Sequence, residues 1–186
     1  MKRTIILLAL AFVFSASFAQ KGKVTSAQSL KDAGKLAEAL EAIEQAANAS
    51  DPKAEKSAPW PKTWETRGDI FQAIAQSKDE NVKKLSKDPL TEALNSYKKA
   101  LELDEKGAAA KSIKIKLTLL TNDLTNQAVQ AFQVEDYNKA LSSFEQILEI
   151  NNMPIVKMDN PNAVDTVIIF NSGLAAYNAE KYETAI

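Results

Sequence analysis

Apolar residues in this chain recur at the spacing of helix faces rather than at the alternation of β-strands. No segment alternates with a period of two for long, and the β-branched residues are scattered apart from Thr-Val-Ile-Ile at 166–169. None of the six prolines falls inside an apolar stretch with a helical period, so each marks a boundary. Asp88 suits an N-cap and Pro89 suits the first helical position, which predicts a helix beginning there. The pattern predicts an all-α fold for the chain after residue 19.

The beginning of the chain has the three regions of a secretory signal peptide. Lys2 and Arg3 supply positive charge, residues 5–14 are apolar, and residues 15–19 are rich in small side chains. This apolar run is too short to span a bilayer core of about 30 Å as a helix. The sequence therefore predicts a cleavable signal peptide over residues 1–19 and export to the bacterial periplasm. We therefore expect no membrane span, and because the chain has no Cys we also expect no lipoprotein anchor.

Four later segments share one spacing of apolar residues. Each has a large apolar residue, an alanine three positions later and an apolar residue directly after the alanine. The first three segments continue with an aromatic or aliphatic residue four positions beyond the alanine. These offsets place the residues on one face of a helix. The repeated alanines are Ala39, Ala93, Ala140 and Ala185, at intervals of 54, 47 and 45 residues.

This spacing resembles the second helix of the tetratricopeptide repeat, a helix-turn-helix unit of about 34 residues. The second copy also carries the first-helix signature of that family, with Trp64, Gly68 and Phe71 at its Trp, Gly and aromatic places. Arg67 replaces the usual Leu. A small residue suits the point where the two helices of a hairpin cross, and the four copies have Ala27, Gly68, Ala128 and Gly173 there. The resemblance implies an α-α superhelix, a solenoid of antiparallel helix hairpins.

The expected repeat array covers residues 20–186 and is longer than four units of the family length. Its approximate repeats are 20–53, 61–107, 121–154 and 166–186. The residues beyond the family's repeat length are expected in four places. About seven lie around 54–60 and about thirteen lie around 76–87, inside the turn of the second hairpin. The others form extra helix at 108–123 and a loop at 154–165 bracketed by prolines. The fourth hairpin stops in its second helix, from which we expect the chain to be a piece of a longer protein.

Composition and charge narrow the chemistry that the chain can perform. It has no His and no Cys, which removes the commonest general base, the commonest metal ligand and every thiol nucleophile. The carboxylates lack metal-ligand spacing, and a formal charge of -1 provides no field to recruit nucleic acid. The sequence predicts no catalytic, cofactor-binding or metal-binding residue, and a chain that is neither an enzyme nor a nucleic-acid-binding protein.

Six aromatic residues stand at hairpin-core places and are predicted to be buried there. They are Trp64, Phe71, Tyr97, Tyr137, Phe144 and Tyr182.

The resemblance also implies a groove lined by the first helix of each hairpin. The groove places are Glu65, Asp69 and Gln72 in the second repeat, Thr125, Val129 and Phe132 in the third, and Phe170, Leu174 and Tyr177 in the fourth. Family members that grip the carboxylates of a peptide tail need Lys, Asn and Arg there, and this chain lacks that set. Its later groove is apolar and aromatic, which suits an amphipathic helix or an extended apolar segment of a partner, or packing against further repeats.

The function predicted from these features is that of an exported, non-catalytic scaffold for protein–protein interaction. The partner is another protein or peptide, and a peripheral association with the cell envelope stays open. Two alternatives also stay open, a module that binds a glycan or small ligand and an accessory region of a larger enzyme.

Overall fold

The computed structural model describes residues 21–157 and 164–185. Within these two ranges the chain folds into helices and turns without any strand, which confirms the all-α prediction. The predicted signal peptide, and residues 158–163 of the loop expected at 154–165, lie outside the described residues. The chain divides into two compact units, of which unit 1 ends at Ala109 and unit 2 begins at Ala110.

Unit 1 is built from α3 and the two long helices that pack against it. Residues 21–32 are helical and are called α1. The elements that follow are α2 (Leu36–Ala47), a 3-10 turn (Pro52–Ala54), α3 (Pro61–Gln76), the short α4 (Glu80–Lys83) and α5 (Pro89–Leu103). Helix α3 packs against α2 on the side of the preceding hairpin and against α5, its own hairpin partner.

Unit 2 repeats this arrangement around α7. Its elements are α6 (Ala110–Gln133), α7 (Tyr137–Asn152), the short α8 (Pro154–Lys157) and α9 (Thr166–Asn178). Helix α7 packs against both α6 and α9. The extra helix expected at 108–123 is present from Ala110 onward, and it continues without a break into the first helix of the third hairpin.

Prolines mark helix starts, as the sequence predicts. Pro61 and Pro89 are the first residues of α3 and α5, while Pro52 opens the 3-10 turn and Pro154 opens α8. A proline suits the first position because the N–H that it lacks has no partner within a helix at that point. The predicted start of α5 is therefore confirmed. The carboxylate of its N-cap Asp88 accepts a hydrogen bond from the Thr91 hydroxyl at 2.7 Å.

Three hairpin turns share one backbone arrangement. Each turn contains a residue with positive φ: Gly34 at 75°, Glu135 at 61° and Glu180 at 60°. The N–H of that residue donates to the carbonyl three positions back, and the next N–H donates to the carbonyl five positions back, as in a Schellman motif. After each turn the N–H of the repeated alanine donates to the carbonyl four positions back, and in the first and third hairpins this bond lies at the start of α2 and of α7. The repeated sequence pattern therefore corresponds to a repeated turn.

Helices α3 and α5 cross at Gly68, where the resemblance requires a small residue. A Cβ atom added to Gly68 would overlap the ring of Tyr97, coming within 2.6 Å of Cδ1 and 2.8 Å of Cζ. Tyr97 is fully buried, so its ring is enclosed by neighbouring parts of the chain. The glycine is therefore required by close packing, and not by backbone conformation, since its φ is an ordinary helical one.

Equivalent hydrogen bonds join the helices of the second and third hairpins. Arg67 Nη1 donates to Ser96 Oγ at 2.7 Å in the second, and Gln127 Nε2 donates to Ser143 Oγ at 2.9 Å in the third. Each serine donates in turn to the carbonyl four positions back in its own helix. The two interhelical bonds span 29 and 16 residues, and the difference of 13 equals the insertion expected in the turn of the second hairpin.

The aromatic residues predicted for the hairpin cores fall into two groups. Phe71, Tyr97 and Phe144 are buried, as predicted, and Trp64 and Tyr137 are half-buried. The prediction is wrong for Tyr182, whose side chain is 55% exposed. Tyr182 lies in the turn after α9 and packs edge-on against Tyr177, with 5.6 Å between the ring centroids.

Candidate interaction surface

The expected groove places of α3 lie mostly inside unit 1. Glu65 is 5% exposed and forms an ion pair of 3.0 Å with Lys62, one turn earlier in the same helix. The Tyr97 hydroxyl lies 3.0 Å from Oδ1 of Asp69 and 3.0 Å from Oε1 of Gln72. A phenol carries one proton and donates to one of these oxygens at a time. Asp69 and Gln72 thus hold the polar end of a buried tyrosine of α5.

The expected groove places of α6 differ in how much side chain they expose. The Thr125 hydroxyl donates to the Thr121 carbonyl of its own helix at 2.7 Å. Val129 is exposed, while Phe132 is half-buried. The Phe132 ring packs edge-on against Tyr137, the first residue of α7, at 5.1 Å between centroids. Phe132 therefore closes its own hairpin turn as well as facing outward.

The expected groove places of α9 form an exposed apolar surface. Phe170 is 70% exposed, Tyr177 is 62% exposed and Leu174 is 40% exposed. Val167, one turn before Phe170, is exposed as well. Spacings of three, four and three residues put these four side chains on one helix face. We call them the α9 stripe, which is about 15 Å long at the helical rise of 1.5 Å per residue.

The face of α9 opposite the α9 stripe is the buried one, so the stripe lies on the outer side of the helix. Ile168, Ala175 and Ala176 are buried, and α7 is the long helix against which α9 packs. From residue 166 to residue 179 the sequence contains no charged side chain. The helix is consequently apolar on both faces, whereas a helix at the surface of a globular protein ordinarily has a polar outer face.

Tyr177 is shared between the stripe and the hairpin turn that follows α9. Its ring packs edge-on against Tyr182, as that of Phe132 does against Tyr137 in the preceding hairpin. Both pairs bridge a turn with a left-handed glutamate. These contacts hold the Phe132 ring of α6 and the Tyr177 ring of α9 in defined positions, each beside its own turn.

Arg67 connects three helices of unit 1, a role that its replacement of the usual tetratricopeptide Leu does not by itself indicate. The Arg67 side chain is 14% exposed and donates from Nε to Glu44 of α2 and from Nη2 to Glu92 of α5, both at 2.8 Å. Its guanidinium also lies 4.6 Å from the centroid of the Phe71 ring. Together with the bond to Ser96, these contacts tie α2, α3 and α5 together. An Arg at a place normally held by Leu, with Glu on both neighbouring helices, is the signal from which this link could have been found.

No group of three or more Asp and Glu side chains is placed to hold a metal ion in the part of the chain that the structure describes. No helix within those same residues has both the length and the apolar character needed to cross a membrane.

Comparison with known proteins adds no family to this description. No family model and no curated protein sequence matches the chain.

Proposed function

We propose that the chain is an exported, non-catalytic scaffold of tetratricopeptide-like hairpins that binds a helical segment of another protein on the α9 stripe. The observation that carries this proposal is the exposure of Phe170, Leu174 and Tyr177, together with Val167, on one uncharged face. Contiguous apolar surface of this kind, outside the packed core, is typical of protein interaction sites. Buried aromatic anchors commonly supply much of the binding energy at such sites.

The shape and charge of the stripe suit an amphipathic helix. A stripe of about 15 Å matches roughly three turns of a partner helix, which presents its own apolar residues at spacings of three and four. Since residues 166–179 carry no charge, recognition relies on apolar burial and on the rings of Phe170 and Tyr177. The amides of Asn171 and Asn178 flank the stripe and can accept or donate hydrogen bonds at its rim.

The repeated hairpin also supports the proposal that the chain is a scaffold. The turns at Gly34, Glu135 and Glu180 have one geometry, and two hairpins share an interhelical hydrogen bond at the same places. Repeated hairpins of this kind stack into solenoids that present their first helices along one surface. The proposal assigns no chemistry to the chain itself, because the sequence offers neither His nor Cys for catalysis and no basic excess for nucleic acid.

Site-specific photo-crosslinking tests the partner on the α9 stripe. A photoreactive phenylalanine analogue replaces Phe170 in the full-length chain, expressed with its leader in a bacterial envelope. Asn95, an exposed residue of α5, receives the same analogue as the matched control. We expect a discrete adduct with one other protein from position 170, absent from position 95 and lost on adding Leu174→Asp. Adducts of equal yield at both positions, or only a dimer of the chain itself, contradict the proposal.

Export is tested separately on the same full-length protein. Mass spectrometry of protein released from the periplasm is expected to find a mature chain beginning at Gln20. Replacing Ala19 by Arg at the predicted cleavage position is expected to block processing, because the peptidase accepts only small residues there. A cytosolic protein that retains Met1 would contradict the export part of the proposal and leave the α9 stripe unaffected.

A further inference from the structure

A depression in unit 1 lies between the end of α2 and the outer side of α3. Its volume is about 490 Å³, within the range of about 300–1,000 Å³ that is common for small-molecule sites. The residues that line it are Glu44, Gln45, Ala47, Asn48, Trp64 and Arg67. This depression lies entirely within unit 1, whereas the α9 stripe belongs to unit 2.

Trp64 provides an apolar platform that is held in place. Its indole Nε1 donates to the carbonyl of Ala58 at 2.7 Å, which fixes the ring through the segment that precedes α3. The side chain is half-buried and lines the depression. The ring is therefore oriented before a ligand arrives, and a ligand that stacks on it loses no binding energy to ordering the tryptophan.

The other wall of the depression carries polar side chains from the end of α2. Glu44 and Gln45 belong to its last turn and Asn48 is its C-cap. Glu44 accepts from Arg67, and Asn48 Oδ1 accepts from the Ser50 N–H at 3.1 Å. Gln45 Oε1 accepts from Lys23 Nζ at 2.7 Å, and its Nε2 donates to Glu41 at 3.3 Å. A carboxylate has a second oxygen and an amide has donors as well as an acceptor, so all three can also bond a ligand.

Charge around the depression favours a neutral ligand. The single positive charge of Arg67 is outnumbered by the carboxylates of Glu44 and Glu92, both at 2.8 Å, which disfavours an anion. The carbonyl end of α2 adds partial negative charge, which disfavours an anion. The Arg67 guanidinium lies 5.8 Å from the centroid of the Trp64 ring, and its positive charge repels a cation placed beside that ring but not a neutral ligand.

We propose that this depression binds one ring of a neutral carbohydrate. The apolar C–H face of a pyranose stacks on Trp64, since partly positive hydrogens suit the negative face of an indole. Its hydroxyl groups donate to the Glu44 carboxylate and bond the amides of Gln45 and Asn48. This site does not depend on the α9 stripe, and a chain that fails to bind a partner there can still bind a sugar here.

Tryptophan fluorescence and solution NMR test the site on the full chain. The chain has two tryptophans, so Trp60→Phe leaves Trp64 as the single reporter. This variant is titrated with the methyl glycosides of glucose, galactose and N-acetylglucosamine and with their β-1,4-linked disaccharides. We expect a saturable shift with at least one of them and a Kd on the order of 1 mM, since an open site leaves part of the ligand in water.

Variants of exposed residues separate binding from folding. On the Trp60→Phe background, Gln45→Ala with Asn48→Ala is expected to weaken the affinity about tenfold, because both hydrogen-bonding groups are lost. Asn95→Ala, an exposed change on α5, is the control and is expected to leave the affinity unchanged. Unaltered circular dichroism shows that both variants are folded.

Three results would overturn the proposal. The first is no change in fluorescence or in NMR line shape up to about 50 mM of any sugar, which is far above the affinity of a usable site. The second is equal affinity in the Gln45/Asn48 variant and the control. The third is saturable binding of tetramethylammonium chloride without binding of any sugar, which would make the depression a cation site.

Discussion

Helices α3 and α9 stand at the same place in the repeated sequence pattern, yet their corresponding faces differ in chemistry and in exposure. In α3 the face consists of Lys62, Glu65, Asp69 and Gln72, and in α9 it consists of Val167, Phe170, Leu174 and Tyr177. The α3 face is half-buried or buried, whereas every member of the α9 stripe is exposed. The equivalent face of α6 is intermediate, with Asn122, Thr125, Val129 and Phe132.

This difference shows that equivalent helices share their local backbone geometry but differ in whether the same face is buried or exposed. The turns and the interhelical bonds recur at equivalent positions, so the hairpins are held by the same local contacts. In unit 1 the first-helix face is used internally, to hold Tyr97, and in unit 2 the corresponding face points outward. A residue's place in the repeat therefore predicts its helix and its register, but not whether a partner can reach it.

The largest expected difference between the units concerns Arg67 and its counterpart Gln127. We expect Arg67→Ala to lower the free energy of unfolding of unit 1 by about 2–3 kcal/mol, because charge-assisted bonds and a packed side-chain stem are lost together. Gln127→Ala removes one neutral bond and is expected to cost unit 2 about 1 kcal/mol. Both tryptophans lie in unit 1, so urea unfolding followed by their fluorescence measures the first effect.

Hydrogen exchange of the α6 and α7 amides measures the second effect, since unit 2 contains no tryptophan. Arg67→Lys is the control for charge, because an ammonium keeps the charge but cannot bridge three partners with a fixed fork. Equal losses for Arg67→Ala and Gln127→Ala would mean that the ion pairs with Glu44 and Glu92 contribute nothing to unit 1.

The crossing glycines are expected to respond in opposite directions. Gly68→Ala drives a methyl group into the Tyr97 ring, an overpacking that costs about 1–3 kcal/mol before about 1 kcal/mol is recovered from helix propensity. At Gly173 the nearest atom to an added Cβ is the Ala185 carbonyl oxygen at 3.4 Å, an ordinary contact. Gly173→Ala is therefore expected to be neutral or to stabilise unit 2 by up to about 1 kcal/mol.

Urea unfolding followed by tryptophan fluorescence checks the first substitution, and hydrogen exchange of the α9 amides checks the second. A second variant, Gly68→Ala with Tyr97→Leu, tests the cause, since a smaller partner should relieve the overlap. Destabilisation by Gly68→Ala that persists in this double variant would place the strain elsewhere than at the Tyr97 ring.

Local patterns in the sequence predicted the parts of the fold that depend on neighbours along the chain. Helix starts followed from the prolines, and the helices that carry the first three repeated alanines followed from the spacing of their apolar residues. These features are set within one or two helical turns, where spacing and capping rules apply. They were accessible because no distant residue decides them.

The surface was less predictable, because exposure depends on residues that are far apart in sequence. Glu65 and Gln72 were expected in a groove and are buried, while Tyr182 was expected in a core and is exposed. The partners of Arg67 lie 23 and 25 residues away, on two different helices. Only the folded arrangement brings those side chains together, and a helical period in one segment carries no information on them.

The hairpin turns share one backbone geometry but have different residues at the left-handed position. Glu135 adopts the left-handed conformation that Gly34 adopts without strain. We expect Glu135→Gly to stabilise unit 2 by about 0.5–1 kcal/mol, because the steric cost of a left-handed side chain outweighs the added chain entropy of glycine. Gly34→Ala is expected to destabilise unit 1 by about 1 kcal/mol for the converse reason. Thermal unfolding followed by circular dichroism measures both, and changes of the same sign would contradict a shared turn geometry.

The smallest expected effect is the one that bears most directly on the α9 stripe. Asp69 and Leu174 are equivalent places, and Asp69→Ala is expected to cost unit 1 about 1 kcal/mol because the Tyr97 hydroxyl loses a partner. Leu174→Ala is expected to change the stability of unit 2 by less than about 0.5 kcal/mol, since an exposed side chain contributes little to folding. Hydrogen exchange of α9 and α7 measures the second change.

A loss of about 2 kcal/mol or more for Leu174→Ala would mean that this side chain is packed within the folded chain, as deletion of a buried leucine costs that much. The surface proposed for a partner would then belong to the core.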